Sequence, residues 1–120
     1  MKLKLKVNLE NGEGEPFMGI GLVWLLREID ACHSIHEAAE RLDLSYVKAL
    51  KILNRLEANV PEPVLLRRRG GHERGGAELT EYGQALVTTY DAMQGRLKAC
   101  GEQEFMRFKR ELRALVKKKK

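Results

Sequence analysis

Residues 34–60 read SIHEAAERLDLSYVKALKILNRLEANV, and residues 64–83 read VLLRRRGGHERGGAELTEYG. Ser34 followed three residues later by Glu37 is a capping-box pattern and predicts the start of a short helix. That helix carries Ala38, Ala39 and Leu42, and small residues there allow a close helix crossing. The Asp43-Leu44-Ser45 segment supplies a turn, and Ser45 can cap a second helix. On that helix Val47, Leu50, Leu53 and Leu56 are expected to point inward, with Lys48, Lys51 and Arg55 on another face. Pro61 and Pro63 end it. A strand over 64–68, a glycine-rich tip over 70–76 and a return strand over 77–79 follow, and Thr80 caps a further helix. The order is that of a helix-turn-helix followed by a wing.

Working outward, residues 1–9 alternate, with Met1, Leu3, Leu5, Val7 and Leu9 on one face and Lys2, Lys4, Lys6 and Asn8 on the other. Period two predicts a half-buried strand at a lysine-guarded sheet edge. The NGEGEP stretch at 11–16 is turn chemistry that ends it. From Gly19 to about Ala31 a helix is expected to bury Ile20, Val23, Trp24 and Ile29, with Leu22, Leu25 and Leu26 beside them. After Thr80 the apolar positions are Leu86, Tyr90, Met93 and Leu97. Gly101 is a candidate bend, and Phe105, Phe108, Leu112 and Leu115 continue the amphipathic pattern. The fold class expected is mainly α with a small β-wing: a winged helix-turn-helix domain over residues 1–100, then a C-terminal amphipathic helix and basic tail over 101–120.

A chain of 120 residues with 43% hydrophobic and 32% charged residues suits one soluble domain. No apolar run approaches the ~20 residues that span a bilayer, and the basic N-terminus lacks the apolar core of a secretory signal. No membrane partner and a cytoplasmic, nucleoid-associated location are therefore expected. The net charge of +5 is concentrated: Lys117 to Lys120 carry four of those charges. Local clustering matters more, and Arg67, Arg68, Arg69 and Arg74 crowd the hairpin with Glu73 opposing them.

These features point to double-stranded DNA. A helix entering the major groove needs short or polar side chains at its N-terminal end, which Ser45, Tyr46, Lys48 and Ala49 provide. Lysine can donate to guanine, and an alanine methyl can touch a thymine methyl. Lys51 suits a base edge or a phosphate, and Arg55 suits the backbone. The wing arginines can neutralise phosphates, and the glycines let the backbone approach. The full DNA-facing set expected is Ser34, Ser45, Tyr46, Lys48, Ala49, Lys51, Arg55, Arg67, Arg68, Arg69, His72 and Arg74.

Residues 19 to 93 resemble the N-terminal winged-helix domain of the bacterial molybdate-dependent ModE repressors, which is related to the LysR-type helix-turn-helix. The similarity is most specific in the SI…AA…L.LSY..A pattern from Ser34 and in the GG…GGA.LT.YG pattern ending at Gly83. The resemblance implies a homodimeric transcriptional regulator: a recognition helix at 45–58, a wing at 69–76 on the flanking backbone, and dimerisation through the helix after Thr80. Glu73 and Arg74 stand where the family wing is commonly glycine. The chain ends at Lys120, so the family's C-terminal molybdate-binding domains, and molybdate as a ligand, are not expected.

Two other functions compete: a metal- or redox-responsive regulator and a winged-helix interaction adaptor. Cys32, His33 and His36 are close in sequence, with Cys100 or His72 as candidate completions, but disciplined zinc spacing is lacking. The amphipathic 102–116 segment could dock a partner. Enzymatic activity and a cofactor are not expected. Glu10, Glu13 and Glu15 are expected in a turn, and the GIG at 19–21 lacks the context of a dinucleotide site.

Overall fold

Local capping signals decide where the helices begin. In the computed structural model, which describes residues 1–67 and 76–118, the Ser34 hydroxyl accepts from the Glu37 amide at 3.1 Å, and the Ser45 hydroxyl from the Lys48 amide at 3.1 Å. Each satisfies an amide that the first turn leaves without a partner. The elements in order are β1 (Leu9–Glu10), β2 (Pro16–Met18), α1 (Ile20–Cys32), α2 (Ile35–Arg41), α3 (Tyr46–Ala58), β3 (Leu65–Arg67), β4 (Ala77–Leu79) and α4 (Glu81–Lys118). The fold is a mainly α winged helix with a long C-terminal helix.

The core is aliphatic. Leu25, Leu26 and Ile29 of α1, Ala38 and Ala39 of α2, Leu53 and Leu56 of α3, Val64, and Val87 and Tyr90 of α4 are all buried in one cluster. α1 packs on both α2 and β4, and α2 packs on α3. Arg41 ties α2 to α1 by donating to Glu28 at 3.1 Å, and it also reaches Glu37 at 2.9 Å. The Glu28 bond, then the Glu37 charge, raises the Arg41 pKa above its ordinary value.

The wing strands β3 and β4 pair antiparallel, with Leu65 opposite Leu79 and Arg67 opposite Ala77. Gly76 forms an isolated bridge to Ser34, and the Ala77 amide donates to the His33 carbonyl at 3.0 Å. The root of the wing is thereby fastened to the α1–α2 junction. His33 closes α1 in the left-handed region at φ 57°, with its amide bonded to the Ile29 carbonyl at 2.7 Å. The Thr80 hydroxyl accepts from the Gly83 amide at 3.0 Å and donates to the Pro63 carbonyl at 2.6 Å, so one side chain caps α4 and pins it to the approach to β3.

Several expectations are corrected. The alternation over 1–9 does not form a long strand: β1 is only Leu9–Glu10, and it pairs with β2 across the Asn11 turn. The Asn11 carboxamide accepts from the Glu13 and Glu15 amides, so the turn ends β1 as expected and also opens a hairpin to β2. Residues 1–8 instead lay their apolar face along a helix, with Leu3 and Leu5 over Gly101 of α4. A period-two segment suits any flat apolar surface, and α4 supplies one where its side chain is a hydrogen atom. α4 passes through Gly101 unbroken. Trp24 is 54% exposed, because the core-facing stripe of α1 is Leu22, Val23, Leu25, Leu26 and Ile29. On α4 the buried line is Gly83, Val87, Tyr90 and Gln94, leaving Leu86 and Met93 half-buried and Leu97 exposed.

Candidate nucleic-acid interface

The buried residues of α3 fix what its outer face presents. Ala49, Leu53 and Leu56 point into the core, at spacings of four and three. Residues roughly 180° away then face solvent, and these are Val47, Lys51 and Asn54, again spaced four and three. Lys48 and Arg55 flank that ridge and are also exposed. Ser45, Val47, Lys48, Lys51, Ile52 and Arg55 line one surface concavity of about 450 Å³. Three cations therefore share one face of a capped, 13-residue helix.

This orientation corrects two sequence-based expectations. Ala49 was assigned to the DNA-facing end, but it is fully buried and its methyl can reach no base. Val47 was assigned to the core, but it is 61% exposed. The spacing already puts Leu53 and Leu56 inward and Lys51 outward, and only Val47 and Ala49 exchange faces. The alignment of small Ala49 with Leu53 and Leu56 was the available signal. Asn54, which sequence reasoning passed over, also lies on the outward ridge.

The remaining expected residues fall in different places. Tyr46 is half-buried at the start of α3, and its ring stacks on that of His36, with centroids 3.8 Å apart and planes 6° from parallel. That stack joins the first turns of α2 and α3. Ser34 lies at the wing root, where its hydroxyl is engaged in capping. Arg67 is exposed on β3, but its guanidinium donates to Glu57 of α3 at 3.2 Å. The other Glu57 oxygen accepts from the Val64 amide at 3.2 Å. Glu57 thus fixes the corner between α3 and the wing and competes for a cation assigned to phosphate. Arg68, Arg69, His72 and Arg74 lie outside the described residues.

Cys32 and His33 have local roles. Cys32 donates to the Ser34 carbonyl at 3.4 Å, and His33 closes α1. Among the described residues no group of three or more His, Cys, Asp or Glu is arranged to hold a metal ion. None of the described helices is long and apolar enough to cross a membrane.

Comparison with known proteins bears on this geometry. Over 72 residues, 60% of its length, the chain is 39% identical to the transcriptional regulator ModE of Haemophilus influenzae. The chain is homologous to the ModE regulators. It is 35% identical over 69 residues to the DNA-binding transcriptional dual regulator ModE of Escherichia coli, and 34% identical over 89 residues to the molybdenum-pterin-binding protein MopA of Rhodobacter capsulatus. The matched stretches span 28%, 26% and 34% of those three proteins, so the likeness to ModE concerns a region of about a quarter of its length. No protein-family model matches the chain.

Proposed function

We propose that this protein is a sequence-specific, DNA-binding transcriptional regulator that acts as a homodimer. The recognition helix spans residues 45–58 and the wing residues 69–76, and together they address a pseudo-palindromic operator. The observation that carries this reading is the exposed Lys48, Lys51 and Arg55 face on the second helix of a capped helix-turn-helix. It lies in a chain whose ModE relative in Escherichia coli is a DNA-binding regulator.

The chemistry divides by position. Lys48, in the first turn, is set to donate to a base edge, while Lys51 and Arg55 add cationic reach toward base edge and backbone. The free amides at the start of α3 favour a phosphate there as well. Wing arginines supply sequence-independent affinity through counterion release.

Dimerisation is supported by α4. Its 38 residues extend roughly 57 Å, past the aliphatic core, and expose Met106, Phe108, Leu112, Leu115 and Val116. A second copy would cover that surface and set two recognition helices about one helical turn of DNA apart. Molybdenum-pterin binding, which the name of the MopA relative gives, is not proposed for these residues.

Fluorescence anisotropy on duplexes selected from a randomised pool, measured across a salt series, tests the reading. The expected result is sequence-selective binding that Lys48→Ala abolishes or redirects. Weak binding erased by salt, with no motif recovered from the pool, would overturn it.

A further inference from the structure

Val47 is the anomaly of α3. It stands two residues after the Ser45 cap and is 61% exposed, whereas Leu50 and Ile52 are half-buried and Leu53 and Leu56 are buried. Neither of the usual reasons for an aliphatic residue in a helix applies. Burial does not account for it, and a β-branched side chain is a weaker helix former than the unbranched residues an exposed site ordinarily prefers. It also lies within the cationic concavity, between Ser45, Lys48 and Lys51.

We propose that Val47 is a specificity-determining residue that recognises thymine through its C5-methyl group in the major groove; this deepens the DNA-reading function proposed above and rests on it. Thymine alone among the four bases carries a methyl group on the major-groove edge. Lys48 and Lys51 can satisfy acceptors there but offer nothing to an apolar group. Ala49, the other small apolar residue near this end of the helix, is sealed in the core. A valine side chain held near one χ1 rotamer loses little freedom on making the contact, so the ridge presents a pre-formed apolar patch beside two ammonium groups. Such a surface discriminates thymine from cytosine by a methyl as well as by hydrogen bonding.

The test uses a duplex recovered from the randomised pool and resynthesised with uracil in place of each thymine in turn, which removes the methyl alone. Anisotropy is read for the wild type and for Val47→Ala. At one thymine per half-site, uracil should weaken wild-type binding about fourfold, the worth of one buried methyl. Val47→Ala should lose the same factor on the thymine duplex and respond little to uracil there. Its melting temperature should equal or slightly exceed that of the wild type, because the side chain is outside the core and alanine is the better helix former. Selective wild-type binding indifferent to uracil at every position would overturn the assignment, as would a uracil penalty unchanged in Val47→Ala. In either case the DNA-reading function would still stand. Failure of the wild type to select any sequence would remove that function, and the role of Val47 with it.

Discussion

The Tyr90 hydroxyl donates to the Val7 carbonyl at 2.6 Å, joining residues 83 positions apart. Tyr90 is buried on α4, so this bond fastens the N-terminal segment to the long helix from inside the core. Gly101 secures the same segment farther along: a methyl group there would run into Leu5 and press on Leu3. Together they convert an alternating sequence into a strap along α4.

Tyr90→Phe keeps the ring and removes the bond, leaving the Val7 carbonyl without its donor. The expected loss is about 1–2 kcal/mol, read as a lower urea midpoint with an unchanged slope.

Burial raises the Tyr90 pKa above its usual 10.0. The fold therefore favours the neutral phenol more than the unfolded chain does. This contribution is fully present below pH 10.0 and is lost as pH rises from there through the folded value. Urea titrations between pH 8 and 11 should show stability falling at the alkaline end, and Tyr90→Phe should flatten that fall.

Two glycines of α4 should respond in opposite directions. At Gly83 a methyl group would collide with the Val64 carbonyl oxygen, a backbone atom that also accepts from the Thr80 amide. Gly83→Ala should cost about 1–3 kcal/mol despite the better helix propensity of alanine. Nothing lies within 4 Å of the corresponding position at Gly95. Gly95→Ala should stabilise by about 0.5–1 kcal/mol, seen as a higher melting temperature.

Ala49 is the core counterpart of Val47. Ala49→Leu adds three carbons where exposure is already zero, so it should destabilise the helix-turn-helix by about 1–3 kcal/mol. A stable Ala49→Leu protein with altered base preference would contradict the orientation of α3.

Glu57 pairs with Arg67 at 3.2 Å and would compete with a phosphate for it. Glu57→Gln keeps an oxygen for the Val64 amide but drops the charge, and should tighten DNA binding and steepen its salt dependence. Anisotropy slopes against log salt for the two proteins check this, with an increase of up to about one unit expected for one added phosphate contact.

Much of the helix-turn-helix was legible because its signals are local. Ser34, Ser45 and Thr80 each satisfy an amide three residues on, and Pro61 and Pro63 bar a longer α3 whatever surrounds them. The return strand at Ala77–Leu79 was legible too, whereas the unbroken run of α4 through Gly101 was not, because glycine offered a bend there.

What only the tertiary structure decided is the choice of partner among surfaces the sequence left equivalent. The spacing on α3 already put Leu53 and Leu56 inward and Lys51 outward, but packing with α1 and α2 buried Ala49 and left Val47 in solvent. Alternation in residues 1–9 specified one apolar face but not whether a sheet or a helix would receive it. Arg67 was legible as a cation, but its pairing with Glu57, ten residues away, depends on the corner where α3 meets β3. Caps and breaks act through the few atoms of a single turn, so sequence determined them. Burial is a property of the assembled core, so which of Val47 and Ala49 faces outward from α3 emerged only from the fold.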